Sequence, residues 1–228
     1  MGIIHSTIPF KDGGLKGIQA CQRDWTKYLV HFTCSKSMKK AFSKFPCEEC
    51  YSPKALDRKL NHADKESYDI LKTIHDSQVV KAASPSEENH ILACVSFTEC
   101  NICGLVNHSE RYGRFGLVFK KDAIWKLGGR PVMYLDRKSY TFFGKEFRES
   151  TEEWKRNFFS LINLYSPPGT GRVQDYSHER EWRLFKNLEL TQIKPDAIVC
   201  PTKYYDKISK LFQDTIIIPL DLLEQWGL

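Results

Sequence analysis

His178-Glu179-Arg180-Glu181-Trp182-Arg183-Leu184-Phe185 is the stretch on which the reading of the fold turns. Alternate side chains of an extended chain point to opposite faces. Glu179, Glu181 and Arg183 therefore share one face, and Arg180, Trp182 and Leu184 the other. Two carboxylates on one face are costly unless that face is solvated or functional. Two readings stay open: an edge strand with a charged outer face and an ion pair, and a catalytic Glu-x-Glu strand over residues 181–185. The loop at 166–176, with Pro167, Pro168, Gly169 and Gly171, is the strongest loop signal in the chain. A loop in front of a strand is a common place for a ligand to be received.

Working outward, Tyr28-Leu29-Val30-His31-Phe32-Thr33 reads as a buried strand, as do residues 92–98, 115–120, 131–135, 197–200 and 216–218. Helices are predicted from Ser35 to Lys44, over 53–74 with a break near Asn61 to Asp64, and over 104–110, 122–127 and 204–212. Gly128-Gly129 closes the helix at 122–127. Ser150-Thr151-Glu152-Glu153 fits a capping box, opening a helix with Trp154, Phe158, Leu161, Ile162 and Tyr165 on one face. Residues 84–89 form a loop. Strands and helices mix without regular βαβ spacing, which predicts an α+β fold. The strands on either side of the 166–176 loop are expected to share a mixed or antiparallel sheet, so residues 1–228 read as a single domain.

The chain has 228 residues, of which 41% are hydrophobic, 13% aromatic and 27% charged, enough apolar side chains for a sizeable core. No apolar run approaches the roughly 20 residues a spanning helix needs. Residues 1–14 carry neither a basic head nor a sustained apolar run, so the expectation is a cytoplasmic protein with no membrane contact. The net charge of +6 permits an anionic partner, such as a dinucleotide or nucleic acid, without demanding one. Eight cysteines in such a chain are expected as free thiols.

Cys47 with Cys50 and Cys100 with Cys103 form two Cys-x-x-Cys pairs. Their separation is far longer than in compact zinc knuckles, which favours unrelated thiols and no metal. His31 and Thr33, two residues apart, share a face of their strand. Ser96 and Thr98 do the same on theirs, and Glu179 and Glu181 on a third. A lone histidine in an apolar strand is more often a satisfied core residue. Three strands with polar pairs, however, suggest a polar cleft across a sheet.

Five blocks follow in order: Tyr28 to Thr33, Val95-Ser96-Phe97-Thr98-Glu99, Tyr112-Gly113-Arg114-Phe115-Gly116, Gly129-Arg130-Pro131-Val132-Met133-Tyr134 and His178-Glu179-Arg180-Glu181-Trp182-Arg183. This series resembles the AbiGi-like abortive-infection proteins of bacteria and, more distantly, the ADP-ribosyltransferases, with a core over about residues 25–220. The resemblance implies a small sheet split around NAD, taken as substrate. It implies Glu181 as the catalytic glutamate and Glu179 as a partner that orients the acceptor. His31 with Thr33 would hold a ribose. Ser96, Thr98 or Tyr112 would line the nicotinamide side. Arg183 or Arg111 would bind the pyrophosphate. The acceptor would be nucleic acid or protein, in phage defence. The same resemblance carries a second expectation, a non-catalytic antitoxin or sensor module paired with a toxin.

Overall fold

The computed structural model describes residues 26–33, 53–83, 92–100, 102–166 and 180–225. The predicted helix from Ser35 to Lys44, the loop at 84–89, the Cys47 and Cys50 pair and nearly all of the 166–176 loop lie outside them. In chain order, β1 (Tyr28–Phe32) is followed by α1 (Pro53–Ser77), β2 (Val79–Val80), β3 (Val95–Thr98), α2 (Ile102–Tyr112), β4 (Gly116–Lys120) and α3 (Lys121–Lys126). Then come β5 (Arg130–Pro131), β6 (Met133–Leu135), α4 (Arg137–Phe147), α5 (Glu153–Phe159), β7 (Ile162–Leu164) and β8 (Glu181–Leu184). The chain continues with β9 (Leu188–Glu189), β10 (Ala197–Cys200), a 3-10 turn (Thr202–Tyr204), α6 (Tyr205–Leu211), β11 (Ile216–Pro219) and α7 (Leu220–Gln225).

The architecture is α+β. A seven-stranded mixed sheet in the order β11-β10-β4-β1-β3-β8-β5 is flanked by helices, with two-stranded sheets β2-β9 and β6-β7 beside it. All pairs in the large sheet are antiparallel except β10 with β11. The period-two alternation of each strand sorts its side chains onto two faces. On one face, Leu29, Leu117, Phe119, Phe97, Trp182, Leu184 and Ile198 pack with Leu71 and Ile74 of α1 and Ile208 of α6. On the other, Val30, Val118, Ala197 and Val199 pack with Leu105 of α2 and Leu220 and Leu223 of α7. Both cores bury large aliphatic and aromatic side chains, each contributing about 1.5–3 kcal/mol on removal from water.

Four differences from the sequence reading have identifiable physical causes. The helix α1 runs through Asn61 to Asp64 without a break. Polar residues cost a helix interior only tenths of a kcal/mol, and Asp64 is recovered by tertiary ion pairs to Lys203 at 2.7 Å and Arg114 at 3.7 Å. The predicted strand at 131–135 is two strands in two sheets. Pro131 sits opposite Trp182 of β8, whereas Met133 pairs with Ile162 of β7. The capping box does not form. Glu152 is the N-cap of α5 and makes no side-chain cap, because its carboxylate bonds Lys155 and the Trp154 indole. The helix then stops at Phe159, and Ile162 enters a strand instead of extending an apolar helical face. Finally, α4, whose N-terminus Asp136 caps by accepting from the Lys138 and Ser139 amides, has no counterpart in the sequence reading.

Geometry requires glycine at Gly128 and at Gly116. Gly128, at φ 101°, closes α3 in a Schellman arrangement: its amide donates to the Trp125 carbonyl and that of Gly129 to the Ile124 carbonyl. Gly116 lies at the crossing of β1, β4 and β10, where a Cβ would stand 2.8 Å from a Val30 methyl and 2.9 Å from a Val199 methyl. Gly116→Ala is expected to destabilise the fold by about 1–3 kcal/mol through overpacking. Urea denaturation measures this; an unchanged midpoint would show that the strands have room to separate.

Candidate active site

The sheet register brings β1, β3 and β8 side by side. Thr98 stands opposite Glu181, Phe97 opposite Trp182 and Ser96 opposite Arg183. Ser96, Thr98, Glu181 and Arg183 therefore share one face. This face carries the α2 and α7 core under β1, β4 and β10. Under β3 and β8 it is polar instead, and there the β6-β7 ribbon reaches it.

Glu181 is the hub. Its Oε1 accepts from the Ser96 hydroxyl at 2.9 Å and from Arg183 Nε at 2.8 Å. Its Oε2 accepts from Arg183 Nη2 at 2.7 Å and from Asn163 Nδ2 at 3.2 Å. A carboxylate has about four acceptor positions, so this one is saturated. Arg183 is spent in the same network. Beyond its bidentate grip on Glu181, its Nη1 donates to the Ser160 carbonyl at 2.6 Å and its Nη2 to Asn163 Oδ1 at 3.0 Å. The pair is desolvated, with side-chain exposures of 3% for Arg183 and 12% for Glu181. The backbone amide of Glu181 donates to the Tyr134 hydroxyl, and its carbonyl accepts from the Val132 amide. A second hydrogen-bonded chain ends here. The Ser96 proton is committed to Glu181, so the Cys94 thiol is the donor in the 3.6 Å contact with Ser96 Oγ. Burial pushes that thiol's pKa up, which keeps it a neutral donor.

The strand is held from behind as well. Trp182 points to the opposite face, where its indole donates to Glu99 Oε2 at 3.1 Å, and Lys121 reaches Glu99 Oε1 at 2.5 Å. Glu181 thus projects from a backbone fixed on both faces.

Three of the expected site assignments are corrected by this geometry. His31 and Thr33 do not join Glu181. His31 has the same strand parity as Leu29, and its ring packs edge-on against Phe97 at 5.9 Å on the opposite face. Its Nδ1 lies 2.8 Å from the Ser96 carbonyl oxygen; a carbonyl only accepts, so Nδ1 carries the proton. Thr33 is buried against α1, donating to the Ser67 carbonyl at 3.2 Å. The third correction is Arg183, whose guanidinium is buried and whose donors are taken by Glu181, the Ser160 carbonyl and Asn163. Tyr112 stacks on His108 at 6.0 Å within α2, the helix over β1, β4 and β10. Glu179 and the Arg111 side chain lie outside the described residues. Asn163, Tyr134 and Ser160 were missed by the sequence reading. Their only sequence signal is that Ser160 and Asn163 interrupt an apolar run from Phe158 to Leu164.

No group of three or more metal-ligating side chains occurs among the described residues. Cys103 of the second cysteine pair has no described side chain, and burial pushes the Cys100 thiol up to about 12, far from a ready thiolate. Among the described residues no helix is long and apolar enough to cross a membrane. Comparison of the chain with family models, with curated proteins and with solved structures finds no match.

Two outcomes are expected. Burial pushes the His31 pKa below its ordinary 6.5. The unfolded chain then binds the proton more readily than the fold does, and stability falls as pH drops through 6.5 toward the depressed value. Thermal melts between pH 7.5 and 5 should show this loss, and His31→Asn, which retains a donor for the Ser96 carbonyl, should flatten it. Arg183→Leu should cost about 3–5 kcal/mol, because it strands a buried carboxylate. A cost below 1 kcal/mol would mean that Glu181 turns out to solvent.

Proposed function

We propose that this chain is an ADP-ribosyltransferase-like enzyme that cleaves NAD at the ribose–nicotinamide bond, with Glu181 as its catalytic carboxylate. The observation that carries the reading is the rigid, desolvated Glu181 at the seam between the large sheet and the β6-β7 ribbon. Leaving of nicotinamide develops positive charge on the ribose. A preorganised carboxylate in a low-dielectric site stabilises that charge without reorganising. Ser96 and Arg183 fix the carboxylate's position, and Thr98 stands next to it in the register. With nicotinamide as the leaving group, the ADP-ribosyl group passes to a nucleic-acid or protein acceptor, or to water, and phage defence is the setting the sequence resemblance suggests.

A second reading is favoured by one observation. The Glu181 carboxylate has its acceptor positions filled by protein donors, which is how a purely structural ion pair is satisfied. In that reading the chain is a non-catalytic antitoxin or sensor module. Nicotinamide release from NAD by the purified protein separates the two. The transferase reading expects release, and Glu181→Gln should reduce it by on the order of 10²–10³, the scale of one lost transition-state stabiliser. Gln takes the counter-charge from the buried Arg183 and turns an amide donor toward two of the four donors, so the variant should also melt lower, and turnover is compared at a temperature where both proteins are folded. No release with any acceptor would favour the binding module; release unaffected by Glu181→Gln would take the catalytic role away from Glu181.

A further inference from the structure

A cavity of about 410 Å³ opens along one side of α4, lined by Tyr140, Thr141, Gly144, Lys145, Arg148 and Glu149. None of the side chains that contact Glu181 lines it. Its volume is that of a site for a small organic ligand. Gly144 leaves room in its wall: a Cβ there would stand 3.5 Å from the Phe159 ring and 3.6 Å from Arg148 Nη2. Two cations line the cavity, and the protein neutralises neither. The Lys145 ammonium makes no ion pair or hydrogen bond among the described residues. The Arg148 guanidinium lies over the Phe159 ring at 5.4 Å, and its Nε is buried with no hydrogen-bond partner. Arg183 shows how this chain satisfies a buried guanidinium, with a carboxylate, an amide and a carbonyl. Arg148 has none of these among the described residues. A partly buried cation without acceptors is costly, and an anion in the cavity offsets that cost.

The lining discriminates among anions. Tyr140 adds a hydroxyl that makes no hydrogen bond among the described residues. Thr141 adds no donor, because its proton goes to the Arg137 carbonyl at 2.7 Å. A phosphate monoester brings two negative charges for the two cations, and three oxygens for the guanidinium, the ammonium and the phenol. A carboxylate brings one charge and two oxygens. A nucleic-acid backbone fits less well. Glu146, Glu149, Glu152 and Glu153 run along α4 and into α5, and a polyanion laid on this surface meets them as like charges. We propose that this cavity binds a phosphate monoester of about mononucleotide size, held by Arg148 and Lys145. Glu149, also in the lining, opposes the anion and keeps the affinity below what the two cations alone would give. The site does not depend on the transferase reading of Glu181.

Calorimetric titration with uridine 5′-monophosphate, and with uridine as the same molecule without the charge, tests this. The monophosphate should bind, uridine should not, and inorganic phosphate should compete. Arg148→Gln should weaken the monophosphate about tenfold, the scale of a charge-assisted hydrogen bond lost. Glu149→Gln should tighten it about threefold, the scale of one exposed charge pair. Glu149 is exposed, so this variant folds even if Arg148→Gln does not, and a gain in affinity cannot come from misfolding. Three results would overturn the proposal. The first is no binding of the monophosphate, which would leave Lys145 and Arg148 as cations serving only the C-terminal carbonyls of α4. The second is binding that neither Arg148→Gln nor Glu149→Gln alters, which would put the ligand elsewhere. The third is tighter binding of a single-stranded oligonucleotide without a terminal phosphate, which would make the surface a nucleic-acid track. Nicotinamide release from NAD is read separately and should not change in Glu149→Gln. A protein that binds the monophosphate and leaves NAD intact keeps this site and loses the transferase reading; one that cleaves NAD and ignores the monophosphate does the reverse.

Discussion

Burying the Glu181–Arg183 pair is the constraint around which the polar half of this protein is arranged. Two opposite charges two residues apart on one strand would make an unremarkable surface pair if the strand lay at an open edge. Here β8 lies between β3 and β5, and the pair is covered. Desolvating two charges costs several kcal/mol each, and their mutual attraction offsets this only when the remaining donors and acceptors are also satisfied. Ser96, Asn163 and the Ser160 carbonyl do so. Two of these three lie at the end of α5 and in β7. The ion pair therefore explains why the ribbon sits over β8, and why α5 ends where the Ser160 carbonyl turns toward a guanidinium.

The large sheet uses its two faces differently. One face carries a continuous apolar core from Ile198 to Trp182. The other is apolar only under β1, β4 and β10, where α2 and α7 cover it. Under β3 and β8 the same face changes to Ser96, Thr98, Glu181 and Arg183. A helix with an apolar stripe could not cover that surface without stranding polar groups. A short ribbon presenting Asn163 and Tyr134, with the Ser160 carbonyl just ahead of it, can. The candidate site is thus at the boundary between the two kinds of covering, a place where the chain is stable and still chemically equipped.

His31 shows how a polar residue in a strand is absorbed by structure. Its ring donates to the Ser96 carbonyl at the point where the β1-β3 ladder thins to a single bridge at Val30 and Thr98. It supports the strand that bears Ser96 from the side opposite Glu181. Its influence on the site passes through that backbone and not through a ligand.

Much of the architecture was legible in the sequence because it depends on local alternation. The periodicity of β1, β3, β4, β8, β10 and β11 fixes which residues share a face, and Glu181 with Arg183 opposite Trp182 with Leu184 follows from a period of two alone. The Gly128-Gly129 signal marks the end of α3 because a positive φ is a property of the residue. Tertiary structure decided what alternation cannot carry. A strand pattern gives parity within a strand but not between strands, so only the register could place His31 and Thr33 on the face away from Glu181. Only the cost of burying an ion pair could turn Arg183 inward. Only the packing of one chain segment against another, 18 residues apart for Asn163 and Glu181, could bring the ribbon to the site. The same long-range forces overrode local signals at Asp64, kept helical by distant lysine and arginine, and at Ile162, drawn from an apolar helical pattern into a strand beside Met133.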